Sequence, residues 1–143
     1  MDKTEPPTSF GVFKPVGHTV IAFRDEAQVQ AGVTGLLAQG FASEALVRYT
    51  PAEMTAQVDA QEAAASPLAD FGQEINLIKA HRALAQRGCS FLVVHAPEDA
   101  EAEQVAALAR SMKAVAAQRY TTFLIEELIE APIAALIEPA PAP

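Results

Sequence analysis

The sequence has 143 residues, half of them hydrophobic and a fifth charged, which suits one domain with a buried core and excludes a fully disordered chain. Its formal net charge of −8 argues against nucleic acids and membrane surfaces as partners, because both are bound through basic patches. A single cysteine, Cys89, excludes an internal disulfide, and no apolar run approaches the roughly 20 residues that span a bilayer. We therefore expect a cytoplasmic protein.

The two ends of the chain differ in composition from its middle. Residues 1–17 contain three prolines with aromatic residues nearby, which predicts an extended arm that packs on the body or on a partner subunit. Residues 131–143 form a tail rich in proline and alanine. The remaining residues, 18–130, are predicted to form a single α+β domain.

The first half of this domain begins with a strand and a helix. His18–Arg24 is apolar on both faces, which is typical of a central strand. Asp25 is placed to cap a helix that ends at Gly40. We interpret Gly32 and Gly35 inside this helix as positions of close packing, since glycine in a helix otherwise lowers its stability.

A second strand and two helices follow. Ala45–Tyr49 is the strand, and Arg48 within it indicates an exposed edge position. Thr50 and Glu53 have the spacing of a capping box at the start of a helix. A second helix is predicted from Pro67 to Arg87.

The second half repeats the strand–helix–strand pattern. Ser90–His95 is again apolar on both faces, a helix follows Pro97, and Tyr120–Ile125 is the last predicted strand. Two split β-α-β units predict a ferredoxin-like sandwich with an antiparallel four-stranded sheet of order 4-1-3-2. The helix pair is then an insertion between strands two and three. A fully parallel, doubly wound sheet is the alternative.

Two parts of the chain resemble known proteins. The run VIAFRDEAQVQAGVTGLLAQGF, within residues 18–49, resembles the beginning of general-stress-protein YflT-like domains, which have a strand, an Asp-capped helix and a Gly-aromatic exit. The layout around GQEINLIKAHRAL and QRYTTFLIEELI is similar to small uncharacterised bacterial proteins without an assigned activity. These resemblances imply a stress-associated or regulatory non-enzyme and supply no catalytic residues.

Two histidines stand at strand ends. His18 begins the first strand and His95 ends the third, so the antiparallel order places both at one end of the sheet and the parallel order places them at opposite ends. A histidine pair there could bind a metal, an anion or a protonatable ligand. Two rim histidines that never meet are the alternative.

Ionisable residues also lie within the apolar arc of the helix predicted from Pro67 to Arg87. Glu74 and His81 are costly to bury there unless they are paired. They lie seven residues apart, about 10 Å along the axis, which is too far for one ion held by this helix alone, and we predict no metal site. Three interpretations of these residues remain: a polar cleft that the helix shares with the sheet, a buried Glu–His hydrogen bond, or a hydrated subunit interface.

Arginines provide a further candidate site. Arg82 on this helix and Arg48 could together receive a carboxylate or a phosphate, although basic residues are also favourable near any helix C-terminus. We find no GxSxG, Walker-type, GxGxxG or HExxH motif, and we assign no catalytic residue and no cofactor. The candidate binding residues are His18, Arg48, Glu74, His81, Arg82 and His95.

Two functions remain. The first is a non-catalytic binding or regulatory module, associated with stress, that forms a homo-oligomer, expected to be a dimer, and takes a small anionic ligand or a protein partner. The alternative is a small cofactor-independent enzyme on a dimeric α+β barrel, with His95, His18, Tyr49 and Glu74 as acid–base candidates. The lack of a catalytic motif favours the first.

Overall fold

The computed structural model describes residues 8–9, 12–13, 16–64, 72–121 and 125–129. The predicted helix start at Pro67, the side chain of Glu74 and the tail 131–143 lie outside the described part. In chain order the elements are β1 (Thr8–Ser9), β2 (Val12–Phe13), β3 (His18–Phe23), α1 (Glu26–Ala38), β4 (Leu46–Tyr49), α2 (Pro51–Ala64), α3 (Gly72–Gln86), β5 (Ser90–His95), α4 (Asp99–Ser111), β6 (Ala116–Tyr120) and β7 (Ile125–Glu127). The strands β1 and β2 pair as a short antiparallel hairpin, and β2 lies alongside α2.

Five strands form the main sheet, in the order β4-β5-β3-β6-β7. Every neighbouring pair is antiparallel, with Val20 of β3 opposite Val93 of β5 and Gln118 of β6. An α+β fold with an antiparallel sheet is therefore confirmed, and the parallel alternative is wrong. The sheet has five strands rather than four, because the chain turns back after β6 and pairs with it once more.

The last predicted strand, Tyr120–Ile125, is misplaced. Tyr120 ends β6, which begins at Ala116, and Ile125 begins β7 directly opposite Tyr120. Alanine is depleted in strands, so the sequence AAQRY, which begins with two alanines, does not indicate a strand by itself. Ala116 and Ala117 are nonetheless buried on opposite faces of the sheet, where small side chains fit beneath the helices. Residues 116–120 therefore form a strand because of tertiary packing, although their local propensity does not favour one.

Helices cover both faces of the sheet. One face packs on α1 and α4 around Ile21, Phe23 and Leu92, and the other packs on α2 and α3 around Val20 and Phe91. Strand β3 is consequently buried along its whole length, and β5 is buried except at its last residue. This arrangement explains why both strands are apolar on both faces.

The helix caps follow the local sequence. The side chain of Asp25 accepts a hydrogen bond of 2.9 Å from the backbone N–H of Gln28 at the start of α1. Thr50 and Glu53 exchange the two bonds of a capping box, at 3.1 and 3.0 Å, at the start of α2. Gly40, with φ of +99°, ends α1 in the left-handed conformation that favours glycine.

Close packing explains why positions 32 and 35 inside α1 are glycines. A Cβ atom placed on Gly32 would lie 3.1 Å from the Phe23 ring on the sheet, and one placed on Gly35 would lie 3.0 Å from Leu108 of α4. Both distances are shorter than ordinary carbon–carbon contacts. The interpretation of these glycines as close-packing positions is confirmed, and it explains how α1 approaches both the sheet and α4.

Candidate functional site

His18 and His95 are direct partners across β3 and β5. Their ring centroids lie 4.7 Å apart with the ring planes tilted by 40°. His18 is buried and His95 is exposed. The Nδ1 atom of His18 lies 3.0 Å from the carbonyl oxygen of Val16, which can only accept, so this nitrogen carries the ring proton. The antiparallel sheet thus brings together the two histidines that the sequence placed at one end.

His81 lies in the core between α3 and the sheet. It is 3 % exposed, and its Nε2 atom donates a hydrogen bond of 3.1 Å to the side-chain oxygen of Gln118 on β6. The amide nitrogen of Gln118 donates in turn to the carboxylate of Glu127 on β7, also at 3.1 Å. These three side chains form a hydrogen-bonded chain that runs from the core to the edge of the sheet. The partner of His81 in the described structure is therefore an amide from the sheet.

Burial shifts the pKa of the titratable group at each end of this chain. It lowers the pKa of His81, and the hydrogen bond to Gln118 opposes this effect only in part. Partial burial raises the pKa of the Glu127 carboxyl group, and the hydrogen bond from Gln118 again opposes the shift. His81 is consequently a neutral imidazole near pH 7, enclosed by the core and engaged in a structural hydrogen bond.

The two candidate arginines do not come together. Arg82 reaches from α3 to Asp59 of α2 at 3.0 Å and joins the two helices of the inserted pair. Arg48 lies on the other face of the sheet, because it shares its side of β4 with Leu46, which packs against the core beneath α1 and α4. Arg48 forms no ion pair with a described residue. A joint site of Arg48 and Arg82 is therefore absent from the described part of the chain.

Arg48 instead lines a pocket of about 200 Å³ at the end of the sheet where α1 and α2 begin. We call this cavity the Arg48 pocket. The first turns of the two helices and the adjoining ends of β4 and β5 enclose it. Its lining consists of Glu26, Val29, Arg48, Tyr49, Thr50, Glu53 and Ser90.

The polar groups of the Arg48 pocket differ in how far they are already engaged. The Glu53 carboxylate accepts a hydrogen bond from the backbone N–H of Thr50. Glu26 and Arg48 are exposed. Ser90 is 2 % exposed and is part of the pocket lining, and a serine hydroxyl group can donate or accept a hydrogen bond. A guanidinium and a hydroxyl in one small cavity can bind an anionic group of a ligand.

A second, wider and more open pocket of about 680 Å³ lies beside β7. Its Arg110 side chain already donates to the carbonyl oxygen of Leu128 at 3.0 Å and pairs with Glu103 at 3.4 Å. Lys113 also lines this pocket, but the pocket is wide and lies open to solvent beside β7, so it surrounds a small ligand less than the Arg48 pocket does. The Arg48 pocket is the better candidate for a ligand.

Of the acid–base candidates of the enzyme alternative, His18 and His95 come together, Tyr49 lies apart from them, and the side chain of Glu74 is outside the described residues. His18 and His95 lie at one end of the sheet, whereas Tyr49 is opposite Phe91, four residues from His95 along β5 and about 13 Å away. The inserted helices α2 and α3 also cover the sheet face that carries these histidines. Among the described residues, no cluster of three or more His, Cys, Asp or Glu side chains has the geometry of a metal site.

Sequence reasoning missed Gln118, Glu127, Ser90 and Glu26 as residues of these sites. Gln118 and Glu127 lie in a region where the strand was misplaced, so nothing indicated that they share a row of the sheet. Ser90 begins β5, but only the folded chain shows that it lines a cavity with Arg48. Gln118 directly follows two alanines that are both buried, and a polar residue at such a position is the one local signal that a buried hydrogen bond is needed there.

Within the described residues, no helix is both long and apolar enough to cross a bilayer. No family model, no curated protein and no solved structure matches this chain.

Proposed function

We propose that this chain is a non-catalytic binding or regulatory module that takes a small molecule with an anionic group in the Arg48 pocket. The observation that supports this most is the meeting of an arginine without a described ion-pair partner and a buried serine in one cavity. Hydrogen bonds from a guanidinium to a carboxylate or a phosphate are charge-assisted and are often bidentate. The separation of about 13 Å between Tyr49 and the paired His18 and His95 favours binding over acid–base catalysis.

A ferredoxin-like core is part of this proposal. The strand order β4-β5-β3-β6 and the position of α1 and α4 on one face of the sheet support it. Strand β7 and the pair α2–α3 are then additions to that core. The Arg48 pocket lies where the core meets the first turn of the inserted pair.

Homodimer formation and a role in stress belong to the same proposal. The short strand β4 is an edge of the sheet, and an edge strand can pair with a second copy of the chain. The resemblance of residues 18–49 to YflT-like domains supports the stress association. Light scattering coupled to size-exclusion chromatography tests the dimer, and a monomer at all concentrations would contradict it.

Thermal-shift measurements test the binding function. The probes are acetate, succinate, inorganic phosphate, glycine and L-alanine at millimolar concentration. We expect at least one probe to raise the melting temperature of the wild-type chain and of Lys79→Gln, a charge control on the exposed side of α3, but not of Arg48→Gln. Nuclear magnetic resonance should show that this probe stays chemically unchanged. An identical response of wild type and Arg48→Gln to every probe, or consumption of the probe, would refute the proposal.

A further inference from the structure

The charges that line the Arg48 pocket do not suit a plain anion. One guanidinium, from Arg48, stands against two carboxylates, from Glu26 and Glu53. The Glu53 carboxylate is engaged by the backbone of Thr50, but Glu26 forms no ion pair with a described residue. A ligand with only negative charge would meet repulsion from Glu26, in a chain whose formal net charge is already −8.

The helix ends beside the pocket do not reverse this balance. Helix N-termini favour anions through their free N–H groups. At α1, however, the side chain of Asp25 already accepts from the N–H of Gln28, and at α2 Thr50 accepts from the N–H of Glu53. Among the side chains of the lining, we therefore assign the recognition of an anionic group to Arg48 and Ser90.

We infer that the Arg48 pocket takes a small zwitterion, a free α-amino acid, whose carboxylate lies against Arg48 and Ser90 and whose ammonium group lies against Glu26. This inference rests on the binding function proposed above. The opposite charges of the ligand meet opposite charges of the lining, so both ends form charge-assisted hydrogen bonds. The apolar side chain of Val29 remains to contact the side chain of the amino acid.

The size of the pocket supports this class of ligand. At about 200 Å³ it is smaller than the roughly 300–1,000 Å³ of pockets that hold drug-sized molecules. A nucleotide or a peptide exceeds this space, whereas a single small amino acid fits it. Specificity for the zwitterion then arises because a ligand with only a carboxylate leaves Glu26 without a partner, and a ligand with only an ammonium group leaves Arg48 without one.

Calorimetric titration with matched half-molecules tests the inference. L-alanine is compared with propionate, which lacks the ammonium group, and with ethylamine, which lacks the carboxylate; glycine and L-valine probe the size limit. We expect L-alanine to bind at least about tenfold more tightly than either half-molecule, a difference of about 1.4 kcal/mol. Glu26→Gln should weaken L-alanine binding about tenfold without weakening propionate, and Glu44→Gln, an exposed carboxylate outside the pocket, should change neither.

The outcomes distinguish a failure of the zwitterion inference from a failure of the proposed binding function. Equal binding of propionate and L-alanine, both lost in Arg48→Gln, would overturn the zwitterion and leave an anion site. Unchanged L-alanine binding in Glu26→Gln, with circular dichroism showing an intact fold, would also overturn it. Failure of every probe to bind in an Arg48-dependent way would refute both the inference and the proposed function.

Discussion

His81 on α3 and Gln118 on β6 are joined by a buried hydrogen bond of 3.1 Å across 37 positions of the chain. This bond connects the inserted helix pair to the sheet at a point where the surrounding contacts are apolar. The His81 ring also packs edge-on against Phe91, with ring centroids 5.8 Å apart. A single imidazole thus contributes both a polar and an aromatic contact to the docking of α3.

We expect His81→Ala to lower the free energy of unfolding by about 2–4 kcal/mol. The change leaves a cavity and removes the donor that the buried Gln118 oxygen requires. Urea denaturation followed by circular dichroism measures the loss. Lys79→Ala, on an exposed position of the same helix, is the control and should stay within about 0.5 kcal/mol of wild type. A similarly small effect of His81→Ala would show that the hydrogen bond does not hold α3 in place.

Stability should fall on acidification because of His81. Its pKa in the folded chain is lowered from the ordinary value of 6.5, so the unfolded chain binds more protons below about pH 6.5. The contribution of His81 to the free energy of unfolding is then constant above that pH and decreases as the pH falls from 6.5 toward the folded pKa. Chemical denaturation at a series of pH values measures this slope. His81→Gln, which does not titrate, should flatten it.

Glu127 has the opposite effect on how the free energy of unfolding depends on pH. Its folded pKa is raised above the ordinary 4.5, so its contribution to stability is present below pH 4.5 and is lost as the pH rises through the folded pKa. We expect Glu127→Gln to be more stable than wild type near pH 7, since the amide oxygen can still accept from Gln118, and to lose this advantage in acid. Differential scanning calorimetry at both pH values checks the sign, and a less stable variant at pH 7 would contradict it.

Gly32→Ala should destabilise the chain by about 1–3 kcal/mol, because the added methyl group overlaps the Phe23 ring. Helix propensity alone predicts a gain of about 1 kcal/mol for the same change. Thermal unfolding shows whether the substitution lowers stability, as packing predicts, or raises it, as helix propensity predicts. The reverse change at the exposed neighbour, Ala31→Gly, measures propensity without packing and serves as the control. A gain in stability for Gly32→Ala would mean that α1 does not approach the sheet closely.

Thr19→Val is expected to raise stability by up to about 1 kcal/mol. The Thr19 hydroxyl is fully buried and has no hydrogen-bond partner among the described residues, so its removal ends a desolvation cost. The same substitution at Thr50 should lower stability by about 1 kcal/mol, because that hydroxyl caps α2. Guanidinium denaturation of both variants compares the two effects. Equal losses in both would indicate that Thr19 has a partner.

Part of the fold was predictable because its signals are local. Asp25 and Thr50 cap helices with groups only three residues away, and the runs around Ile21 and Val93 are apolar at every position, as strands covered on both faces require. The antiparallel order predicted that His18 and His95 lie at one end of the sheet, and the register of β3 and β5 decided that their rings meet. Strand β6 was not predictable, since alanine-rich AAQRY becomes a strand only when β3 offers it a free edge.

The amino-acid sequence by itself determined where most helices and strands begin and end, because capping, periodicity and turn residues act within a few positions of the chain. Only the tertiary structure decided which polar groups meet. It placed His81 against Gln118 and assembled Arg48, Ser90 and Glu26 from three separate segments around one cavity. Such meetings depend on strand order, register and the face each residue occupies, and these are set by the packing of the whole chain.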